Sequence, residues 1–367
     1  MKGALPALDV GARLGRLRAR FAEPAIDAVL VTRLPNVAYL TGFTGSAGML
    51  LVTPDDAILI TDGRYAQQSK EQLGAAGAPA RAEIATTQAA QRELLSTLVA
   101  GRARLGLEAD GVSWSQQRTF ADWFAGTELV PTERMVEDLR AVKEPGEVAR
   151  IRAACAIADD ALAEVLPTLH EGPTEREFAL TLEWAMRSRG ASRTSFETIV
   201  ASGPNGSKPH SRPTDRTIGA GELIVIDFGC VVDGYCSDMT RTVSVGDPGV
   251  EARRVWDVVA ASQRAGRDAV RAGVSCADVD RASRAVIEDA GWGDTFAHGT
   301  GHGVGLEIHE APRVSATADA TLETGHVVTV EPGVYLPGVG GVRIEDTVVV
   351  TSDGAEALTE FPKSLVI

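Results

Sequence analysis

The sequence predicts a two-domain α+β protein, with a smaller α/β domain first and a larger domain of two similar halves after it. Three observations lead there. The 367 residues are enough for two domains with sizeable cores. Residues 26–132 alternate short β-rich runs with helical stretches, the pattern of an α/β layer structure. From residue 147 onward, a unit of two helices followed by strands occurs twice. That repeat implies two halves facing each other across a sheet, with a cleft between them as the natural place for a site.

The elements follow in order. The first 25 residues form a polar, Arg-rich helix pattern without the apolar stretch of a signal peptide. Strands are predicted over 26–32, 49–53, 57–62, 104–108 and 128–130, with helices over 63–73, 88–100 and 114–124. The Gly-rich stretch 41–48 lacks the Gly-Lys-Ser/Thr of a phosphate-binding loop and reads as a tight turn. Pro145-Gly146 breaks the chain, which places a first domain at 1–138, a linker at 139–146 and a second domain at 147–367. In the second domain, helices 147–166 and 174–189 precede strands 194–200, 222–228 and 235–243. Thr174 and Glu177 form a capping box at the start of the second helix. Helices 250–271 and 276–290 then precede strands 326–331 and 342–350.

Composition narrows the function. With 44% hydrophobic and 23% charged residues, the chain reads as a soluble globular protein. The balance of 36 basic against 50 acidic residues gives −14, and no basic patch appears, which argues against nucleic acid as a partner. No apolar run reaches the length of a membrane span. The four cysteines, Cys155, Cys230, Cys236 and Cys276, are sparse, which fits reduced thiols in the cytoplasm.

The chemistry concentrates in two acid-bearing hairpins. The apolar run 223–226 ends in Asp227, and Asp233-Gly234 favours a two-residue turn because both positions accept φ > 0. That turn sets Asp227 opposite Thr240 and Asp238 on the same face, with Cβ atoms on the order of 7 Å apart. A slip of one residue would put the two acids on opposite faces. Residues 327–331 and 341–346 repeat the device. Centring their turn on Val339 pairs Leu336 with Val342 and Glu331 with Thr347, and leaves Glu345 and Arg343 on the face of Glu331. His298, His302 and His309 fall within twelve residues between the hairpins, in a stretch too rich in glycine for a ligand-bearing helix. Four carboxylates with an imidazole suit Mn²⁺, Co²⁺ or Zn²⁺. Two such ions about 3.5–4 Å apart would offset the repulsion among the acids. A metal-free polar network is the structural alternative.

These blocks together carry a resemblance. Ile226-Asp227-Phe-Gly, Ser237-Asp238-Met-Thr-Arg241, Gly301-His302-Gly-Val-Gly305, Val330-Glu331-Pro-Gly-Val-Tyr335 and Val342-Arg-Ile-Glu345-Asp resemble the metal-ligand blocks of the pita-bread metallopeptidases. The 195–205 block with His210, and Ile308-His309-Glu-Ala-Pro-Arg313, are similar to the Xaa-Pro peptidases, aminopeptidase P and prolidase. The resemblance implies a pita-bread domain of pseudo-twofold halves preceded by a creatinase-type α/β domain. It implies two divalent ions, manganese first and cobalt or zinc as alternatives. Asp227 would bind one ion, His302 and Glu331 the other, and Asp238 and Glu345 both. A hydroxide bridging the ions would attack the bond before proline. His210 and His309 would act on the scissile region, Glu331 would take part in proton transfer, and His298 and Arg343 would line the substrate pocket. A homodimer is also implied.

Within that family, 42–48 and Asp62-Gly-Arg-Tyr65 look like the amino-terminal domain of short bacterial aminopeptidase P proteins. The expected activity is therefore cleavage of amino-terminal Xaa-Pro bonds in peptides, with prolidase, acting on dipeptides, as the alternative. Methionine aminopeptidase fits less well because of the added first domain and the 195–210 block, and creatinase because the ligand set is intact. A non-catalytic binding protein of this fold would be expected to lack ligands and to carry basic surface.

Overall fold

The computed structural model describes residues 5–367. Contacts divide the chain into two compact units, Ala7–Arg140 and Ala141–Ile367, residues 5 and 6 joining the second.

The first unit is built on a six-stranded mixed sheet. Its strand order is Arg81–Ile84, Ala57–Thr61, Met49–Val52, Ala28–Val31, Arg104–Glu108, Glu128–Thr132. Every residue of Ala28–Val31 is buried, as expected of a central strand covered on both faces. Leu30, Leu51, Ile58 and Leu105 pack with Leu95, Val99, Phe120 and Phe124 from the helices. Three elements were not anticipated, the short helix Glu137–Ala141 at the expected linker being one. Leu34–Thr41 is a helix with its proline in the first turn, where a missing N–H costs nothing. Arg81–Ile84 is a short, half-exposed edge strand whose polar-apolar alternation, Arg-Ala-Glu-Ile, spans too few residues to reveal it. The 41–48 stretch is a turn wrapped around one ring. Gly42 ends the helix at φ 75°, and a Cβ on Gly45 would lie 2.2 Å from the Phe43 ring.

In the second unit a helix runs from Pro145 to Val165, starting two residues earlier than expected. Pro145 opens it rather than breaking it, and the Glu144 N–H donates to Glu147 Oε2 at 3.1 Å. Glu175–Ser188 carries the Thr174–Glu177 capping box. The second half repeats the pair as Val250–Ala269 and Cys276–Asp289.

Each half then sends a hairpin through two sheets. In the first half, Ile224–Phe228 lies between Ile199–Ser202 and Met239–Val243. Beyond Gly229 the same hairpin continues as Cys230–Val232 with Tyr235–Cys236 and Arg193–Thr194. The strand expected at 194–200 is therefore two strands in two sheets. Ser195 sits at the changeover, its hydroxyl donating to the carbonyls of Cys230 and Ser237. Gly229 is needed there, since a Cβ would lie 1.9 Å from the Ser237 carbonyl oxygen. The register is the one that Asp233-Gly234 requires: φ is 46° and 89° at the turn, Val232 faces Tyr235 and Thr240 faces Asp227.

The second hairpin departs from expectation. Leu336 pairs with Gly340 rather than Val342, because the loop is three residues long, Pro337 to Val339, with Gly338 at φ 80°. Thr329 pairs with Thr347 and Val330 with Asp346, a register that sets Glu331 opposite Glu345 instead of diagonal to it. The shift is two residues, so the shared face survives. The strand expected at 342–350 changes sheets at Ile344-Glu345. Gly301–Gly303, expected as loop, is a strand of the five-stranded sheet. Its glycines permit contact that a side chain would block: a Cβ on Gly301 would sit 2.0 Å from the Thr329 carbonyl oxygen.

Ile157, Leu162, Phe178 and Leu182 pack under Ile224, Ile226, Phe228 and Met239. Val270, Cys276 and Val279 pack under Val328, Val330, Val348 and Val350. All four cysteines are buried free thiols. Among the described residues no helix is long and apolar enough to cross a membrane.

Candidate active site

The two hairpins meet at their sheet changeovers, and the acids lie there. One carboxylate oxygen each from Asp227, Asp238 and Glu345 come within 4.8 Å of one another. His302, on the Gly301–Gly303 strand, joins them. Its Nδ1 donates to the Gly303 carbonyl at 3.0 Å, which leaves Nε2 as a lone pair 3.5 Å from Asp238 Oδ2 and 3.4 Å from Glu331 Oε1. Asp238, Glu345 and His302 are buried.

Arg343 ties the halves together. Its Nη2 donates to Asp227 Oδ2 at 2.6 Å and its Nη1 to the Tyr335 hydroxyl at 2.7 Å. Its Nε donates to Thr240 Oγ1 at 3.1 Å, and that hydroxyl in turn donates to Glu345 Oε2 at 2.7 Å. The Tyr335 hydroxyl lies 2.9 Å from His298 Nε2, while His298 Nδ1 donates to the Gly299 carbonyl at 2.8 Å. Both nitrogens of His298 are thus engaged, and its ring orients Tyr335.

The electrostatics are one-sided. Burial, then repulsion from neighbouring carboxylates, holds Asp238 and Glu345 well above the usual carboxylate range. Burial pushes Glu331 up to about 7. Burial takes His302 and His298 down to about 4, so both are neutral at pH 7. Among the described residues, Arg343 is then the cation hydrogen-bonded within this group of four acids. Each uncompensated buried charge costs several kcal/mol, so the cluster needs protons or further cations.

These side chains form the floor of a cleft of about 630 Å³, within the range of small-molecule sites. His210 and His309 stand exposed on its wall, the His309 ring edge-on to His302 at 4.4 Å between centroids. Phe196, Arg212, Arg313, Ser315 and Tyr335 are among the other residues that line it.

Profile comparison matches residues 149–352 to metallopeptidase family M24 and residues 13–142 to the creatinase/prolidase N-terminal domain. The chain belongs to metallopeptidase family M24. It is 34% identical to the Xaa-Pro dipeptidase of Pyrococcus furiosus, over 96% of this chain and 99% of that one. Among solved structures, the Xaa-Pro dipeptidase from Bacillus anthracis superposes with a TM-score of 0.93 at 37% identity, covering 97% of this chain and 99% of that one. The X-Pro aminopeptidase from Thermotoga maritima superposes at 0.86 with 35% identity, covering 94% and 98%. The pita-bread fold with its creatinase-type first domain follows from these matches.

Family M24 implies divalent ions, and the residues present fit them. Asp227 Oδ1 and Glu345 Oε1 are buried oxygens with no hydrogen-bond partner. They border the same cleft as the unprotonated Nε2 of His302. Hard oxygen donors with one imidazole are the donor set for first-row divalent ions rather than for a thiolate-loving one.

The metallopeptidase site also uses residues that the sequence reading did not single out. Thr240 and Thr329 donate hydroxyls to Glu345 and Glu331, the latter at 3.2 Å. Thr240 was placed opposite Asp227, but a strand threonine gives no sign of its hydrogen-bond partner. Arg313 closed a quoted motif without a role. Its position becomes meaningful only through its cross-strand pairing with His302.

Proposed function

We propose that this M24 metallopeptidase is a Xaa-Pro dipeptidase, a prolidase, rather than the aminopeptidase P that 42–48 and 62–65 first suggest. Those segments belong to the first unit, and the 42–48 glycines are accounted for by the Phe43 turn, so they carry no information on substrate length. Likeness to proteins named Xaa-Pro dipeptidase runs nearly the full length of both chains.

The observation that carries the dipeptide reading is Arg313. It is an exposed guanidinium on the cleft lining, paired across the strands with His302, and makes no ion pair among the described residues. In a dipeptide the free carboxylate lies on the proline itself, next to the scissile bond. A cation beside the reacting end of the cleft meets a charge there, whereas a longer peptide offers only an amide.

Asp227, Asp238, His302, Glu331 and Glu345 would hold two divalent ions, with manganese the first candidate and cobalt or zinc the alternatives. When bound, such ions act as Lewis acids and bring the pKa of a water close to neutral. The chain's own residues do the rest. Thr240 and Thr329 orient Glu345 and Glu331, and Arg343 fixes Asp227. Burial, then the nearby Arg313 charge, lowers the pKa of His309, which leaves a neutral imidazole whose N–H can oppose a developing oxyanion. The proline ring nitrogen carries no hydrogen in the scissile bond and must leave as a secondary amine, so it needs a proton, and His210 on the wall is the group to supply it. The reading includes homodimeric assembly in the cytoplasm, and light scattering measures the first part.

The X-Pro aminopeptidase likeness keeps a second reading open for test. Ala-Pro, Ala-Pro-Ala and a longer Xaa-Pro peptide are assayed with Mn²⁺, Co²⁺, Zn²⁺ and chelator. Metal-dependent cleavage confined to Ala-Pro is expected. Arg313→Met should raise KM for Ala-Pro about 10–100-fold, the worth of a hydrogen bond to a charged group. Cleavage of the longer peptides with equal efficiency would establish aminopeptidase P instead.

A further inference from the structure

His210 rides on a segment, 203–213, that makes one short turn at Gly203–Ser207 and then has no regular structure. A ring on such a segment is placed only as well as the ends of the segment are. Both ends are held by one side chain. Glu175, the first residue of the helix Glu175–Ser188, is fully buried. Its Oε1 accepts the Ser202 N–H at 2.7 Å and the Ser202 hydroxyl at 2.9 Å. Its Oε2 accepts the Thr214 N–H at 3.0 Å and the Thr214 hydroxyl at 2.6 Å. Asn205 Nδ2 spans the two oxygens at 3.1 and 3.0 Å. One oxygen therefore holds the entry to the loop and the other holds its exit.

Two further contacts fix the middle. The Pro209 carbonyl accepts from Arg343 Nη1 at 3.2 Å, the same guanidinium that holds Asp227. Gly206 packs against Gly341 so closely that a Cβ on Gly341 would lie 2.0 Å from the Gly206 carbonyl oxygen. The helix does not need Glu175 as a cap, because Thr174 and Glu177 already satisfy its start. Burial alone would push this carboxyl up, yet the hydroxyl and N–H donors prevail and hold it below its ordinary value. A charge so fully solvated by one loop has that loop as its purpose.

We propose that Glu175 is the positioning residue for His210: by closing the loop at both ends it sets the imidazole against the substrate. The role given to His210 rests on the peptidase reading, whereas the closure of the loop does not.

The test compares wild type, Glu175→Gln, Thr214→Val, His210→Ala and the Glu175→Gln/His210→Ala double variant, each loaded with Mn²⁺. Glu175→Gln keeps the shape but turns one acceptor into a donor that faces other donors. It should lower kcat/KM for Ala-Pro on the order of 100-fold, the effect of an ångström-scale misplacement. Bound metal should be unchanged, and amide hydrogen exchange should rise in 203–213 but not in the helix Pro145–Val165. In the His210→Ala background the substitution should have no further effect. Should Glu175→Gln fail to fold, Thr214→Val removes one donor only and should show the same pattern at smaller amplitude. An equal loss in both backgrounds, a loss that follows metal content, or unchanged exchange in 203–213 would overturn the proposal. If wild type cleaves no Xaa-Pro substrate, the peptidase reading falls, and hydrogen exchange alone decides whether Glu175 holds the loop.

Discussion

A carboxylate in a protein interior must find a set of N–H and O–H donors, a cation or a proton, and this chain shows all three needs side by side. Glu175 collects donors from a single loop. Asp346 finds cations, Arg241 at 3.1 Å and Lys363 at 2.5 Å, with the Gln263 amide at 3.0 Å. Asp238 and Glu345 have neither in sufficient measure, and burial with mutual repulsion drives their carboxyls toward the protonated form. That contrast marks the cluster as a cation site, and it leads to a prediction about Asp238→Asn. In the metal-free protein this variant should be at least as stable as wild type, because the amide is neutral where the carboxyl must either repel its neighbours or take up a proton. In Mn²⁺ it should gain much less, where wild type gains about 2.7 kcal/mol for an ion present at a hundredfold its Kd. Denaturant unfolding with and without chelator measures both, and equal stabilisation by Mn²⁺ would remove Asp238 from the ligand set. Activity should be lost in the same variant. At this scale the motifs made the acids and His302 legible. The partners Thr240, Tyr335 and Arg313 were not, because hydrogen-bond direction and cross-strand neighbours are properties of the folded sheets.

At the scale of elements, turn chemistry decided what could be read. Asp233-Gly234 has both turn positions at positive φ, which fixed the first hairpin's register from sequence alone. Pro337-Gly338-Val339 admits more than one loop length, and the chosen one was two residues off. The face of Glu331 and Glu345 was still right because a slip of two preserves it. Glycine misled where it signals close packing rather than a loop, as in Gly301–Gly303. Gly301→Ala should cost about 1–3 kcal/mol, the usual effect of overpacking, and should weaken Mn²⁺ binding by displacing His302. Gly15→Ala, in the helix Val10–Arg18 with nothing within 4 Å of its Cβ, should instead add about 0.5–1 kcal/mol. Unfolding of the two variants side by side checks the contrast. A Gly301→Ala protein as stable as wild type would mean that the strand has room to move.

For the whole molecule, the repeat of helix pairs and hairpins was visible as a period in the sequence, and it explains why the site lies where it does. Asp227 and Asp238 come from the first half, and His302, Glu331 and Glu345 from the second. Arg343 and Thr240 bond across between them. The centre is therefore complete only when the halves are docked, and ions bound there would hold the docked state. Substrate length was not legible, since the ligand blocks are the same in the dipeptidase and aminopeptidase readings. The most direct measurement is a Mn²⁺ titration of chelator-stripped protein, with bound metal and Ala-Pro hydrolysis followed together. The account predicts two ions per chain, with hydrolysis absent at the start and appearing as they bind. Full hydrolysis in the stripped protein, or none in the fully loaded one, would contradict it.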